Sequence, residues 1–291
     1  MKWKSDLGLE ARMIFTMFLL AVVYLVFLAV LISGGANATV TVLFIGAFMF
    51  IQYFYSDKLV LWSMGAKVVS ESEAPELHEI VTRLCITANL PKPRIAIINT
   101  SVPNALATGR SQKASVVAVT TGIMQRLNRS ELEAVLAHEL THVKNRDAAV
   151  MTVATFLSSL AQLMVRWLPF MGGGSRKSQD NLAVLLLVSV VVWIISFILV
   201  RALSRYREFA ADRGSAIITG QPSHLISALT KISDTMTRIP TQDLRRVEGA
   251  NALFIVPALS GQSIMNLFST HPSTEARIAA LQAMERSMEA P

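Results

Sequence analysis

The chain of 291 residues is 52% hydrophobic and only 16% charged, with a mean hydropathy of +0.47, a balance too apolar for an ordinary soluble enzyme and one that points to a membrane protein. Its single cysteine, Cys85, excludes an intrachain disulfide framework. The formal charge of +7 comes from Lys and Arg scattered beside apolar runs, not from a basic stripe interleaved with aromatics, so no nucleic-acid partner is expected.

Met13–Ile32 is an uncharged run of 20 residues, long enough at about 1.5 Å per residue to cross a hydrocarbon layer of about 30 Å as a helix. "SGGANA" then turns the chain, and Thr39–Tyr55 is a second, shorter apolar run with Gln52 near its end. The two are expected to form a transmembrane hairpin over residues 1–56. A cleaved signal peptide is the competing reading, favoured by Lys2, Lys4 and the Ala36-Asn37-Ala38 triplet. The length of the run, acidic Asp6 and Glu10 ahead of it and the second run directly after it all count against cleavage. Lys2, Lys4 and Arg12 before the first run, and Lys58 and Lys67 after the second, put both flanks on the cytoplasmic side.

Residues 70–147 change character, with short helix and strand signals in alternation. In "SEAPELHEIVTRLCITANL", Leu77, Ile80, Val81 and Leu84 recur at helical spacing, Cys85 reads as a small buried hydrophobe, and "PKP" ends the helix. "RIAIIN" and "SVVAVT" are β-branched runs separated by "TSVPNALATGRSQKA", expected to form a small antiparallel sheet with an irregular connection. A helix begins again at Ser130, where Ser130-Glu131-Leu132-Glu133 has the form of a capping box. Leu132, Val135, Leu136, Leu140 and Val143 follow at helical spacing, so "LAHELTHVKN" is helical.

On that helix His138 and His142 are four residues apart, so both imidazoles project from one face and can grip one ion. Glu139 can reach a water on that ion without ligating it, which is the H-E-x-x-H arrangement. A catalytic zinc needs a third protein donor, with the fourth position left for water. Further along, Ala148–Leu168 is a weak apolar run holding Ser158, Ser159, Gln162 and Arg166, whereas Leu182–Val200 is uncharged throughout. Directly after them "SRYREFAADRGSAI" offers Glu208 and Asp212, again at i, i+4. Glu208 can ligate, and Asp212 can accept the free N–H of a ligating histidine. Their alternative role, as solvated carboxylates balancing Arg205, Arg207 and Arg213, is outweighed by the histidine pair. A His2Glu set with an open position favours Zn2+ among the divalent ions. His78 and His224 have no partner at helical spacing and read as ordinary side chains.

For Glu208 to reach His138 the chain must leave and return on one side, so residues 148–201 are expected to act as a second hydrophobic hairpin between two parts of one domain, 57–147 and 202–291. His142 lies six residues before Ala148 and Glu208 eight after Val200, which at helical rise is on the order of 9 to 12 Å and puts the site at the membrane surface. Charged Glu131, Glu133, Lys144, Arg146 and Asp147 around the motif argue against a site inside the bilayer.

"HELTHVKNRD" followed by a hydrophobic hairpin, then "REFAADRGSA" and "STHPSTEARI", resemble over nearly the whole chain the HtpX membrane metalloproteases, relatives of the CAAX prenyl endopeptidases among the gluzincin zinc proteases. The resemblance implies a mainly α membrane protein with an α+β zincin-like domain carrying a small β-sheet. It implies zinc on His138, His142 and Glu208, with Glu139 as catalytic carboxylate and Asp212 behind the ligands. His271, before Pro272, maps onto a histidine that helps hold the transition-state oxyanion. Asn104 and Ala105 map near the edge strand that binds substrate. The implied partners are the lipid bilayer and misfolded or damaged membrane proteins, or unfolded polypeptides, cut in cytoplasmic regions during stress-linked quality control at the cell inner membrane. A non-proteolytic zinc-binding scaffold or transporter is the alternative; it would need ionisable groups paired inside several spans, and Arg166 is the one weak case.

Overall fold

The computed structural model describes residues 7–33, 37–167, 176–236 and 271–289. The middle of the "SGGANA" turn and the start of the "GGGSRKSQDN" loop lie outside the described residues. The described residues fall into two compact units, one drawn from 7–56 with 150–204, the other from 57–149 with 205–236 and 271–289.

The first unit is built from α1 (Leu7–Ser33), α2 (Ala38–Ser63, up to residue 56), α6 (Asp147–Trp167, from residue 150) and α7 (Arg176–Thr219, up to residue 204). Phe27, Leu31, Phe156, Leu160, Ala161 and Val192 form one buried cluster, and Leu20, Ala154, Val200 and Leu203 a second. The Tyr24 hydroxyl donates to the carbonyl of Val153 at 2.7 Å, giving its polar end a partner between helices. Two hydroxyls in the apolar helices bond back to their own turn, Thr16 to Arg12 O and Ser189 to Leu185 O, whereas the buried Ser196 Oγ has no hydrogen-bond partner among the described residues. Large apolar side chains such as Phe15, Phe18, Leu43, Leu187 and Ile194 face outward. Among the described residues three helices are long and apolar enough to cross a membrane, and a fourth if the bent pair Thr39–Tyr55 and Asp57–Ser63 is one span. The weak Ala148–Leu168 run is among them, as Asp147–Arg166.

The second unit holds β1 (Lys67–Val68), α3 (Pro75–Ala88), β2 (Arg94–Ile98), β3 (Ala105–Thr108), β4 (Val116–Thr120), α4 (Thr121–Arg126), α5 (Arg129–Asn145), the later part of α7, α8 (Pro222–Met236) and α9 (Thr274–Glu289). The expected antiparallel sheet is instead mixed, in the order β1-β2-β4-β3. The two β-branched runs, β2 and β4, pair in parallel, Arg94 opposite Val116 through Ile98 opposite Thr120. Residues 99–115 between them are long enough for the crossover that parallel neighbours require. That connection also contains β3, which returns antiparallel beside β4 with Ala105 opposite Val119. "ALAT" has too little β-branched or aromatic character to announce a strand.

Helix α5 starts two residues earlier than its Ser130 signature suggested. Asn128 is the N-cap: its side chain accepts the Glu131 N–H, and the Glu131 carboxylate accepts the Asn128 N–H, each at 2.9 Å. Asn caps as well as Ser, and Asn128-x-x-Glu131 fits the same reciprocal pattern. Ser227 and Lys231 of α8 also reach Glu131, at 2.7 and 2.8 Å, so the start of α5 is tied to a second helix. The helix is buried along most of its length, with Val135, Leu136 and Leu140 in the main core beside Ile80, Val81, Leu225 and Ile232. Cys85 packs in the same core, and burial pushes its thiol up to about 11.

Candidate metal centre

Helix α5 carries His138 and His142 on one face, and the later part of α7 carries Glu208. One donor atom from each of the three lies within 4.8 Å of the others, so the group could hold a metal ion. The imidazole Nε2 atoms of His138 and His142 stand 3.1 Å apart, with Glu208 Oε1 3.5 Å from the second and Oε2 3.7 Å from the first.

The far sides of both rings fix what these nitrogens present. His142 Nδ1 is 2.6 Å from Asp147 Oδ2, and His138 Nδ1 is 3.0 Å from Asp212 Oδ1. The hydrogen bond to Asp147 keeps the His142 ring proton on Nδ1, and the Asp212 carboxylate beside His138 Nδ1 favours the same arrangement there. With no proton on either Nε2, the two atoms would present lone pairs to one another and to a carboxylate, an arrangement that a proton or a metal cation between them relieves. Burial opposes a charged His142, but the hydrogen bond and charge of Asp147, with Glu208 and Glu139 behind, outweigh it and raise the ring to about 9. A metal would expel that proton. Glu208 Oε2 is buried and accepts no hydrogen bond from the described residues; such an oxygen is suited to an ion. The donor set, two imidazoles and one carboxylate, fits a divalent transition metal.

Charge is balanced behind the ligands. Arg277 of α9, 1% exposed, donates to Asp212 through Nε at 2.8 Å and through its terminal nitrogen at 2.6 Å, and a further nitrogen lies 3.3 Å from Glu208 Oε2. His271 Nδ1 is 3.4 Å from the same Glu208 oxygen. Glu139 is buried between the two histidines in sequence, and burial raises its carboxyl above the usual range, partly offset by His138 and His142.

The structure thus brings His138, His142, Glu208, Asp212 and His271 together. Asn104 and Ala105 are engaged with β4: the backbone N–H of Asn104 donates to Thr120 Oγ1 at 2.9 Å, and Ala105 opens β3. Strand β3 ends the sheet, and its last residues Ala107 and Thr108 share a shallow cleft with Gly109, His142, Val143 and Arg146. His78, read as ordinary, sits 3.1 Å from the carbonyl of Val69. Sequence reasoning missed Asp147, Arg207 and Arg277. Asp147 is five residues beyond His142, off the ligand face of a continuous helix, and the "STHPSTEARI" motif carried Arg277 with no local hint of its target.

The approach of α5 to α7 depends on Gly214. A Cβ there would lie 2.3 Å from Thr141 Cγ2 and 2.9 Å from Thr141 Cβ, while Ser215 Oγ beside it donates to the Ala134 carbonyl at 2.7 Å. Thr141 is β-branched and sits between the two histidines, so it cannot swing aside cheaply. Gly214→Ala is expected to cost about 1–3 kcal/mol of stability, read in urea unfolding of the detergent-solubilised protein. Unchanged stability would show that the helices part without strain.

Apolar spans joined to a small mixed sheet, and a buried His-Glu-x-x-His helix facing a carboxylate from a second helix, define a membrane metalloprotease. Peptidase family M48 matches residues 71–285. Protease HtpX homolog 2 of Methanosarcina mazei is 63% identical over 290 residues, covering 99% of both chains. The Protease HtpX homolog of Moorella thermoacetica is 58% identical, covering 98% of this chain and 97% of its own. The crystal structure of S. mikatae Ste24p shares the fold, with a TM-score of 0.57 at 16% identity over 95% of this chain and 67% of that one. The chain belongs to peptidase family M48. It is a multi-pass membrane protein, and the resemblance read from its motifs holds over its length.

Proposed function

We propose that the chain is a zinc endopeptidase of the cell inner membrane that cuts misfolded or damaged membrane proteins where they enter the cytoplasm, with His138, His142 and Glu208 holding the ion. The observation that carries this is the pair of histidine Nε2 atoms facing one another beside Glu208, with each Nδ1 on its own carboxylate. The cytoplasmic side rests on the Lys and Arg flanking the first hairpin; the quality-control role rests on the resemblance to the HtpX enzymes. In this reading residues 1–56 and 148–201 are the two hydrophobic hairpins, and 57–147 with 202–291 form the protease domain.

When bound, zinc supplies Lewis acidity, polarising the scissile carbonyl and acidifying water. Glu139 takes the proton of the attacking water and passes it to the leaving amine, and its raised carboxyl pKa makes it a better acceptor than a surface glutamate. His271 stabilises the oxyanion that develops on the substrate carbonyl. Asp212 keeps the His138 proton on Nδ1, and Arg277 holds Asp212 in place. An extended substrate lies along the edge of the sheet near Asn104 and Ala105, adding main-chain hydrogen bonds to β3.

The test is metal dependence. Purified protein in detergent is expected to contain about one zinc per chain, to lose casein cleavage on chelation and to regain it on adding zinc back. Cleavage that survives complete metal removal would refute the reading.

A further inference from the structure

The two ligand histidines are each held from behind, but only the carboxylate behind His138 was foreseeable from spacing. In an unbroken helix a residue five positions on lies about 140° around from the first. Asp147 would therefore point away from the ligand face of α5. Arg146 prevents this: it adopts the left-handed conformation, φ 55°, its N–H closing onto the carbonyls of His142 and Val143, and α6 starts at the next residue. Through that break Asp147 Oδ2 comes to 2.6 Å from His142 Nδ1, and the residue is 1% exposed. Its other oxygen, Oδ1, lies 3.0 Å from Nε of Arg207, itself buried. Arg207 directly precedes Glu208 on α7.

We infer that Asp147 and Arg207 are positioning residues for His142, forming an arm that mirrors His138, Asp212 and Arg277; the inference rests on the zinc reading above. In each arm an imidazole is set by a carboxylate and the carboxylate by an arginine. Helix α7 contributes to both, giving Asp212 directly to one histidine and Arg207 to the partner of the other, so the helix that supplies the third donor also orients the first two. A buried ion pair adds little net stability, so a merely structural tie between α6 and α7 is a weak reason for this pair to exist. The short contact to His142 Nδ1 does something a tie would not. It fixes the tautomer that aims the Nε2 lone pair at the ion.

The test is zinc titration by chelator competition on the full-length protein in detergent, with the melting temperature of the metal-free protein as a control for folding. Asp147→Asn, nearly isosteric, is expected to weaken zinc binding about 10–100-fold. Arg207→Met should weaken it less, and Arg207→Lys should recover part of that loss, because a point charge replaces the guanidinium fork. Since Arg207 acts through Asp147, the double variant should bind no worse than Asp147→Asn alone. Zinc affinity within about twofold of wild type in Asp147→Asn, or losses that multiply in the double variant, would overturn the inference. Should Asp147→Asn fail to fold, Arg207→Met decides: unchanged affinity there refutes the arm, and a loss that Arg207→Lys partly restores supports it. Wild-type protein that binds no zinc would sink the zinc reading itself, and the arm with it, whereas wild-type binding beside an unaffected Asp147→Asn sinks only the arm.

Discussion

Glu139→Gln is expected to slow peptide-bond cleavage by about 10²–10⁴-fold while leaving bound zinc in place. The separation follows from position: Glu139 contributes no atom to the donor group of His138, His142 and Glu208, yet it lies on the same buried stretch of α5. The amide keeps the size and the hydrogen-bonding oxygen but cannot take a proton at neutral pH. Burial is the largest influence on the carboxyl and outweighs the opposing charges of His138, His142 and Arg277, so its pKa stays above the ordinary value. Neutralising it therefore costs the fold little, and the folded, metal-loaded variant should be obtainable. The measurement pairs metal content with turnover of an unstructured substrate such as casein, for wild type and variant in the same detergent. A variant that keeps its zinc and cleaves at the wild-type rate would remove Glu139 from the chemistry. A variant that loses its zinc would show that the residue holds the site together instead.

The histidine pair was legible because its geometry is local: two residues one helical turn apart share a face wherever the helix goes. Glu208 was legible at one remove, from a second i, i+4 pair and from the valence a zinc ion leaves open. The same local logic failed at Asp147, where the left-handed Arg146 breaks the helix and reverses the expected direction of the next side chain. Nothing in "HVKNRD" marks that break, since the usual glycine is replaced by arginine. Arg277 is 65 positions from Asp212, and its role exists only because α9 packs near α7. The sheet shows the same division. The two β-branched runs were recognisable as strands, but their parallel pairing is set by the path of the connection between them, and "ALAT" gave β3 no signal of its own. The cap of α5 was misplaced by two residues because two overlapping x-x-Glu patterns compete there, and Ser227 and Lys231 from α8 favour Glu131 over Glu133.

Arg277→Met is expected to destabilise the metal-free protein by about 3–5 kcal/mol, the cost of removing one partner from a buried charge pair. The guanidinium makes two hydrogen bonds to Asp212 and lies 3.3 Å from Glu208, and those carboxylates hold the arginine pKa above its ordinary value against the effect of burial. Without it the buried carboxylates Asp212, Glu208 and Glu139 keep only the histidines to offset three acids. Two companion variants separate charge from shape. Arg277→Lys keeps the charge but cannot fork across both Asp212 oxygens, and should recover part of the loss. Asp212→Asn combined with Arg277→Met removes the most tightly paired acid along with its partner, and should be more stable than Arg277→Met alone although it carries one more substitution. Zinc should stabilise each folded protein according to its own affinity for the ion, and Arg277→Met, which loosens Asp212 behind His138, should gain less from it than wild type. Urea unfolding followed by tryptophan fluorescence, with and without zinc, reads all four proteins on one scale. If Arg277→Met unfolds at the wild-type midpoint, the cluster balances its charge by protonating carboxylates and the arginine is dispensable to the fold. If the double variant is the least stable of the set, shape and not charge explains why α9 delivers an arginine to this point.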